Sequence, residues 1–241
     1  MDMGLIGKRA LVTGASSGIG RACALELGRE GVHVACVARN QQRLAEVTGE
    51  IEAMGGEAFW LSTDLSTEAG CREAMDATIE HWGGLDILVN VAGAAQQADL
   101  LTELTTALID DGLRLKTYSY LTLSQLAFPH MKAQRWGRIV NIAGAAGTGP
   151  TTGNLPASIA NVAILNMTRS FQDAGAPFGI LVNTICPGLT DTPRTREHRR
   201  VAAERAGLVA DEAAIEAAIA KAAQGLPAGR MCEPAEVARV T

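Results

Sequence analysis

The chain has 241 residues, 47% of them hydrophobic and 20% charged, which suits a buried core and excludes a disordered chain. A net charge of −5 excludes the basic footprint of a nucleic-acid or other polyanion-binding protein. No apolar stretch reaches the ~20 residues of a membrane span, and Lys8 and Arg9 lead straight into a strand rather than a secretory leader, so a soluble cytoplasmic protein is expected.

The first element is an apolar run, Ala10, Leu11 and Val12, leading into Thr13-Gly14-Ala15-Ser16-Ser17-Gly18-Ile19-Gly20. A helical pattern follows in Ala22, Leu25 and Leu27. This is a strand, a tight loop and a helix N-terminus. Glycine lets the backbone turn sharply and approach a pyrophosphate, and the helix start offers N–H groups and a positive dipole end. Such turns also serve packing alone. A second strand, Val32 to Val37, comes one helix later, and that spacing is a βαβ unit built to hold a dinucleotide.

The pattern Thr-Gly-x-x-x-Gly-Ile-Gly resembles the short-chain dehydrogenase/reductase family, and the resemblance extends along nearly the whole chain. It implies a doubly wound, mostly parallel α/β sheet of the Rossmann type in a single domain spanning residues 1–241. It places Gly14, Ser16, Ser17, Gly18, Ile19 and Gly20 on the cofactor. The second strand ends in Ala38-Arg39-Asn40. A carboxylate there would accept bonds from a ribose 2′-hydroxyl, whereas Arg39 suits a 2′-phosphate, so NADP is expected over NAD. The alternative is a solvated loop cation, because the glycine loop adds no second cation at Ser17.

A helix from about Gln41 to Met54 and a third strand, Ala58 to Leu61, lead to Asp64 and Leu65, which by resemblance face the adenine. Asp64 also reads as a helix N-cap, a role open to Ser66. After a helix to about His81, the strand Leu85–Val89 ends in Asn90-Val91-Ala92-Gly93. The family shows Asn-Asn-Ala-Gly here, so Asn90, Ala92 and Gly93 are carried to the cofactor cleft and Val91 departs. Residues 103–133 read as one long helix, with Gly112 and Pro129 as possible bends. The strand Gly137–Ile142, a helix from about Ala157 to Ala174 and the strand Gly179–Ile185 follow. Pro187, Gly188 and Thr192 match the segment that meets the nicotinamide in the family. Residues 194–225 resemble its mobile substrate-covering segment, although Ile215 and Ile219 also suit an ordinary amphipathic hairpin. Pro234 suits the first position of a last helix. The family continues past that helix to a seventh strand, so the sequence reads as ending short of it.

The chemistry departs from the family. Carbonyl reduction there uses an Asn-Ser-Tyr-Lys group, since charge built on oxygen by an arriving hydride must be met by a proton donor. Counting from Phe128-Pro129-His130-Met131 and from the strand Gly137–Ile142, those positions read Lys116, Gly144, Ala157 and Asn161. Two readings follow. Lys116 and Tyr120, four apart on one helix face, rebuild the acid–base site; or the chain binds NADP without redox catalysis, with Asn161 touching the ribose, as a regulator, a structural partner or a non-redox lyase. Tyr118 and Tyr120 also suit subunit packing, because this helix forms the dimer surface in the family; a homodimer or homotetramer is implied. The scattered Cys23, Cys36, Cys71, Cys186 and Cys232 suggest no metal site.

Overall fold

The computed structural model describes residues 3–93, 102, 104–149, 155–205, 212–226 and 228–241. Its sheet is built from β1 (Arg9–Thr13), β2 (His33–Ala38), β3 (Ala58–Ser62), β4 (Ile87–Asn90), β5 (Gly137–Ile142) and β6 (Ile180–Ile185). All pairings are parallel, in the order β3-β2-β1-β4-β5-β6. Leu11 lies opposite Ala35 on one side and Leu88 on the other. Strands covered on both faces read as continuous apolar runs, and alternate residues divide between two layers. Ala10, Val12, Val34 and Cys36 pack on Cys23, Ala24, Leu44 and Ile51. Leu11, Ala35, Leu88 and Ile139 pack on Met75, Leu123 and Met131.

The first layer is α1 (Gly18–Arg29) and α2 (Gln41–Ala53), and the second includes α3 (Glu68–Trp82). The cap of α3 is neither Asp64 nor Ser66. Thr67 Oγ1 accepts from the Gly70 N–H at 3.0 Å, while Asp64 Oδ1 accepts from the Ser66 N–H at 3.0 Å in the preceding turn.

The long helix is α4 (Thr106–Gly112), a π turn (Leu113–Tyr118) and α5 (Ser119–Gln134); residue 103, where the sequence pattern begins, lies outside the described residues. Directly after Gly112 the helix therefore widens rather than breaks. Ser119 Oγ donates to the Leu115 carbonyl at 2.7 Å and also meets that of Lys116 at 3.2 Å, which occupies acceptors that the wider turn loosens.

Next come α6 (Leu155–Gly175), α7 (Pro193–Arg205), α8 (Glu212–Gln224) and α9 (Pro234–Ala238). Arg196 ties the second-last pair together, with Asp191 at 3.0 Å on two nitrogens and Glu216 across on α8. Ile215 and Ile219 pack on Met231. Pro234 opens α9 beside a Glu233–Glu236 capping box. Among the described residues the sheet has six strands, and no helix is long and apolar enough to cross a membrane.

Candidate functional site

A cavity of about 430 Å³ opens at the carboxyl ends of β1, β2, β4 and β5, where the strand order reverses. Thr13 sets its floor. The Thr13 hydroxyl oxygen accepts from the N–H groups of Val91 at 2.8 Å and Ala92 at 3.0 Å, fastening the end of β1 to the segment leaving β4. Gly14 then turns at φ +66°, and a Cβ there would lie 3.1 Å from the Ala92 backbone. Gly18 stands at φ +56°, where a Cβ would lie 3.2 Å from the Thr192 methyl, and a Cβ on Gly20 would lie 2.2 Å from the Gly14 carbonyl oxygen. Side chains are excluded from this cradle by strain and by contact. Ser17 precedes α1 with extended backbone and makes no side-chain cap, so the first turn's N–H groups have no hydroxyl lid. These features fit a pyrophosphate.

At one end, Ala38, Arg39, Asn40, Thr63, Asp64 and Leu65 line the wall. Asn40 caps α2 by accepting from the Arg43 N–H at 3.0 Å, and the Ser62 hydroxyl donates to the Arg39 carbonyl at 2.9 Å, so the Arg39 backbone is fixed. Hydrogen bonds from Ser66, with the Arg39 charge adding, hold the Asp64 carboxyl below its ordinary range.

At the other end, Leu115 and Lys116 descend from the π turn to meet Gly93, Ile142, Ala143 and Arg194. Lys116 Nζ donates to the Ala143 carbonyl at 2.9 Å. Its stem crosses Gly93 so closely that a Cβ there would lie 2.9 Å from Lys116 Cγ. Desolvation, helped by the charge of Arg194, pushes the Lys116 ammonium down to about 8. Arg194, solvent-facing at the rim in the first turn of α7, donates through Nη1 to the Gly93 carbonyl at 2.7 Å.

The cavity thus gathers Gly14, Ser16, Ser17, Gly18, Ile19, Gly20, Arg39, Asp64, Leu65, Ala92, Gly93, Lys116 and Thr192. Five expected site residues do not line it. Tyr120 is 0% exposed, and its hydroxyl donates to the Ile142 carbonyl at 3.0 Å inside the core, where burial raises its pKa. Tyr118, expected in subunit packing and not one of these five, is 50% exposed. Asn90 is a sheet residue: its Nδ2 donates to Asn141 Oδ1 at 2.9 Å, and the Asn141 amide donates in turn to the Thr168 hydroxyl at 2.9 Å. Asn161 is buried beneath the turn at 145–147, where a Cβ on Gly147 would lie 2.9 Å from its own, and it is not among the residues lining the cavity. Pro187 and Gly188 serve the loop itself, their carbonyls accepting from the Ala145 N–H at 3.0 Å and the Thr190 hydroxyl at 3.1 Å. The sequence reading missed Arg194 altogether. No pattern marks it, because its place depends on how α7 folds back over the cleft.

A parallel sheet of this order, with a glycine cradle at the point of reversal, defines the doubly wound class of nucleotide-binding α/β proteins. Residues 8–203 match the short chain dehydrogenase family, a family of oxidoreductases that bind nicotinamide cofactors, and the chain belongs to it. It is 34% identical over 188 residues to an uncharacterized oxidoreductase of Staphylococcus epidermidis, covering 78% of this chain and 80% of that one. It is 32% identical over 238 residues to the 3-oxoacyl-[acyl-carrier-protein] reductase of Pseudomonas aeruginosa, covering 99% of this chain and 90% of the relative. Among solved structures, L-sorbose reductase from Gluconobacter frateurii, complexed with NADPH and L-sorbose, superposes with a TM-score of 0.92 at 27% identity, over 100% of this chain and 90% of that one. Actinorhodin polyketide ketoreductase with NADPH gives 0.89 at 29% identity, over 97% and 88%.

Proposed function

We propose that this protein is an NADPH-dependent reductase of carbonyl or enone compounds in which the Lys116 ammonium stands in for the family's tyrosine as proton donor. The observation that carries this reading is the placement of Lys116 Nζ at the cavity floor, 2.9 Å from the Ala143 carbonyl, with its pKa brought down to about 8. A donor with a pKa near working pH is both charged enough to be present and acidic enough to release its proton.

Gly14, Ser16, Ser17, Gly18, Ile19 and Gly20 would hold the pyrophosphate, Arg39 the 2′-phosphate, Asp64 and Leu65 the adenine, and Ala92, Gly93 and Thr192 the nicotinamide half. Arg39 and the NADPH in the sorbose reductase and ketoreductase structures support NADP over NAD. When bound, NADPH supplies the hydride. The chain's own part is to meet the charge that grows on the substrate oxygen. The Lys116 ammonium is placed to stabilise that charge and to pass a proton from Nζ, and the Ala143 carbonyl holds Nζ in place before and after. Gly144 and Ala157 contribute no hydroxyl to this work.

In this reading the described part of 194–225 covers the substrate, supported by the reach of Arg194 to Gly93, while residues 206–211 of that segment lie outside the described residues. Family membership, with Tyr118 and Val162 left 50% and 47% exposed, supports a homodimer or homotetramer.

The test is oxidation of NADPH by purified protein against a panel of ketones, aldehydes and enones. Turnover is expected with some of them, falling about a hundredfold or more in Lys116→Met. Tight NADPH binding with no turnover of any panel member would leave a nucleotide-binding protein without redox chemistry and end this reading.

A further inference from the structure

The glycine loop separates two cavities. Ser16, Ser17 and Gly18 line the cleft described above and also a second cavity of about 680 Å³ that runs between α1, α2 and the start of α9. The first turn of α2 bounds both as well: Asn40 lines the first and Arg43 the second, and Asn40 Oδ1 accepts from the Arg43 N–H at 3.0 Å. Charges in the second cavity are matched, with one exception. Arg21 pairs with Glu50 at 2.6 Å and Arg29 with Glu26 at 2.8 Å. Asp191 is held by Arg196 at 3.0 Å, and Glu233 belongs to the capping box of α9. Glu46, the carboxylate nearest in sequence to Arg43, accepts from Gln42 at 3.4 Å. The Arg43 guanidinium makes neither a hydrogen bond nor an ion pair among the described residues.

Resting on the NADP reading above, we infer that Arg43 is the second cation of the 2′-phosphate site, and that this phosphate lies where the two cavities meet, between Arg39 on one side and Arg43 on the other. A phosphate monoester carries about −1.5 to −2 near neutral pH and has three terminal oxygens. One guanidinium meets two of those oxygens and one unit of charge in a bidentate pair, which leaves an oxygen and further charge for a second donor. Arg39 is also partly offset by the Asp64 carboxylate on the wall of the first cavity, and that carboxylate repels a phosphate placed deeper there. Arg43 lines the other cavity and carries no such offset. The glycine loop supplies only the hydroxyl of Ser17 at this junction, so the second positive charge comes from α2. NAD has a hydroxyl in place of the phosphate and gives Arg43 nothing to bind.

The experiment is isothermal titration of the full chain with NADP⁺ and NAD⁺, and with adenosine 2′,5′-bisphosphate against 5′-AMP to isolate the adenosine end, in the wild type, Arg39→Gln, Arg43→Gln and Arg43→Lys. Arg43→Gln is expected to weaken NADP⁺ and the bisphosphate about tenfold or more, the worth of one charge-assisted pair, with NAD⁺ and 5′-AMP unchanged. Arg43→Lys should restore part of the loss. Equal weakening of NADP⁺ and NAD⁺ in Arg43→Gln overturns the inference, since the phosphate would not be what Arg43 meets. If Arg39→Gln abolishes the preference for NADP⁺ while Arg43→Gln leaves it whole, the NADP reading stands and this inference falls. A wild type that binds NAD⁺ as tightly as NADP⁺ removes the NADP reading and the inference with it.

Discussion

Lys116 Nζ lies 2.9 Å from the Ala143 carbonyl oxygen, so one ammonium bridges the π turn and the segment leaving β5 across the floor of the cleft. Holding a cation there has a thermodynamic signature. The Lys116 pKa falls from 10.5 to about 8, so between those values the unfolded chain binds the extra proton. The contribution of this group to unfolding free energy therefore rises with pH from about 8 to above 10, by at most about 3 kcal/mol, and is flat below 8. Lys116→Met removes that slope. Chemical denaturation at several pH values should show the variant gaining most on wild type near pH 7 and least near pH 10.5. A pH-independent difference between the two proteins would mean that the ammonium carries no burial cost.

Tyr120→Phe removes a hydroxyl that donates to the Ile142 carbonyl in the core. The expected cost is about 1 kcal/mol of stability, read as a small fall in Tm, with kcat for NADPH-dependent reduction unchanged. A large fall in kcat at unchanged Tm would return this phenol to the chemistry.

Gly20→Ala places a Cβ 2.2 Å from the Gly14 carbonyl oxygen, where both partners are backbone and neither yields cheaply. Overpacking of this kind costs about 1–3 kcal/mol, and the loop must shift. The rise in Tm that NADP⁺ gives to the wild type should vanish in this variant. A variant with the wild-type shift would show that the cradle does not hold the nucleotide.

Arg39→Asp exchanges a cation at the end of β2 for a carboxylate. Affinity for NADP⁺ should fall by about tenfold to a hundredfold while that for NAD⁺ holds or rises, because the carboxylate repels a 2′-phosphate and accepts from a 2′-hydroxyl. Titration calorimetry of both nucleotides decides it. Parallel changes in the two affinities would take Arg39 off the ribose.

How much of this was legible in the residues varies with the range of the forces involved. The β1 loop and α1 were readable because Gly14, Gly18 and Gly20 answer to local demands, a positive φ or a contact a few residues away. The strands were readable because residues covered on both faces must be apolar throughout. Helical periodicity correctly brought Lys116 and Tyr120 to one side, since both reach carbonyls at the end of β5. It said nothing of depth, and the π turn that sets depth leaves no pattern in Leu113–Tyr118. Asn90 and Asn161, expected at the cofactor, do not line the cavity, and for Asn90 the reason is related. A polar side chain reads alike whether it faces a ligand or joins a buried chain such as Asn90–Asn141–Thr168, and only tertiary packing separates the two. Arg194 depends on the return of α7 over the cleft, a long-range event with no local signal.

The dependence of kcat/KM on pH for NADPH-driven carbonyl reduction, from about pH 6 to about pH 10, tests the assignment of the proton donor most directly. With Lys116 as the acid, the wild-type value should be flat at low pH and fall about tenfold per pH unit above a break near 8, and Lys116→Met should lie about a hundredfold lower with no break. A wild-type profile that runs flat through pH 8, or a methionine variant that keeps both the rate and the break, would contradict the account.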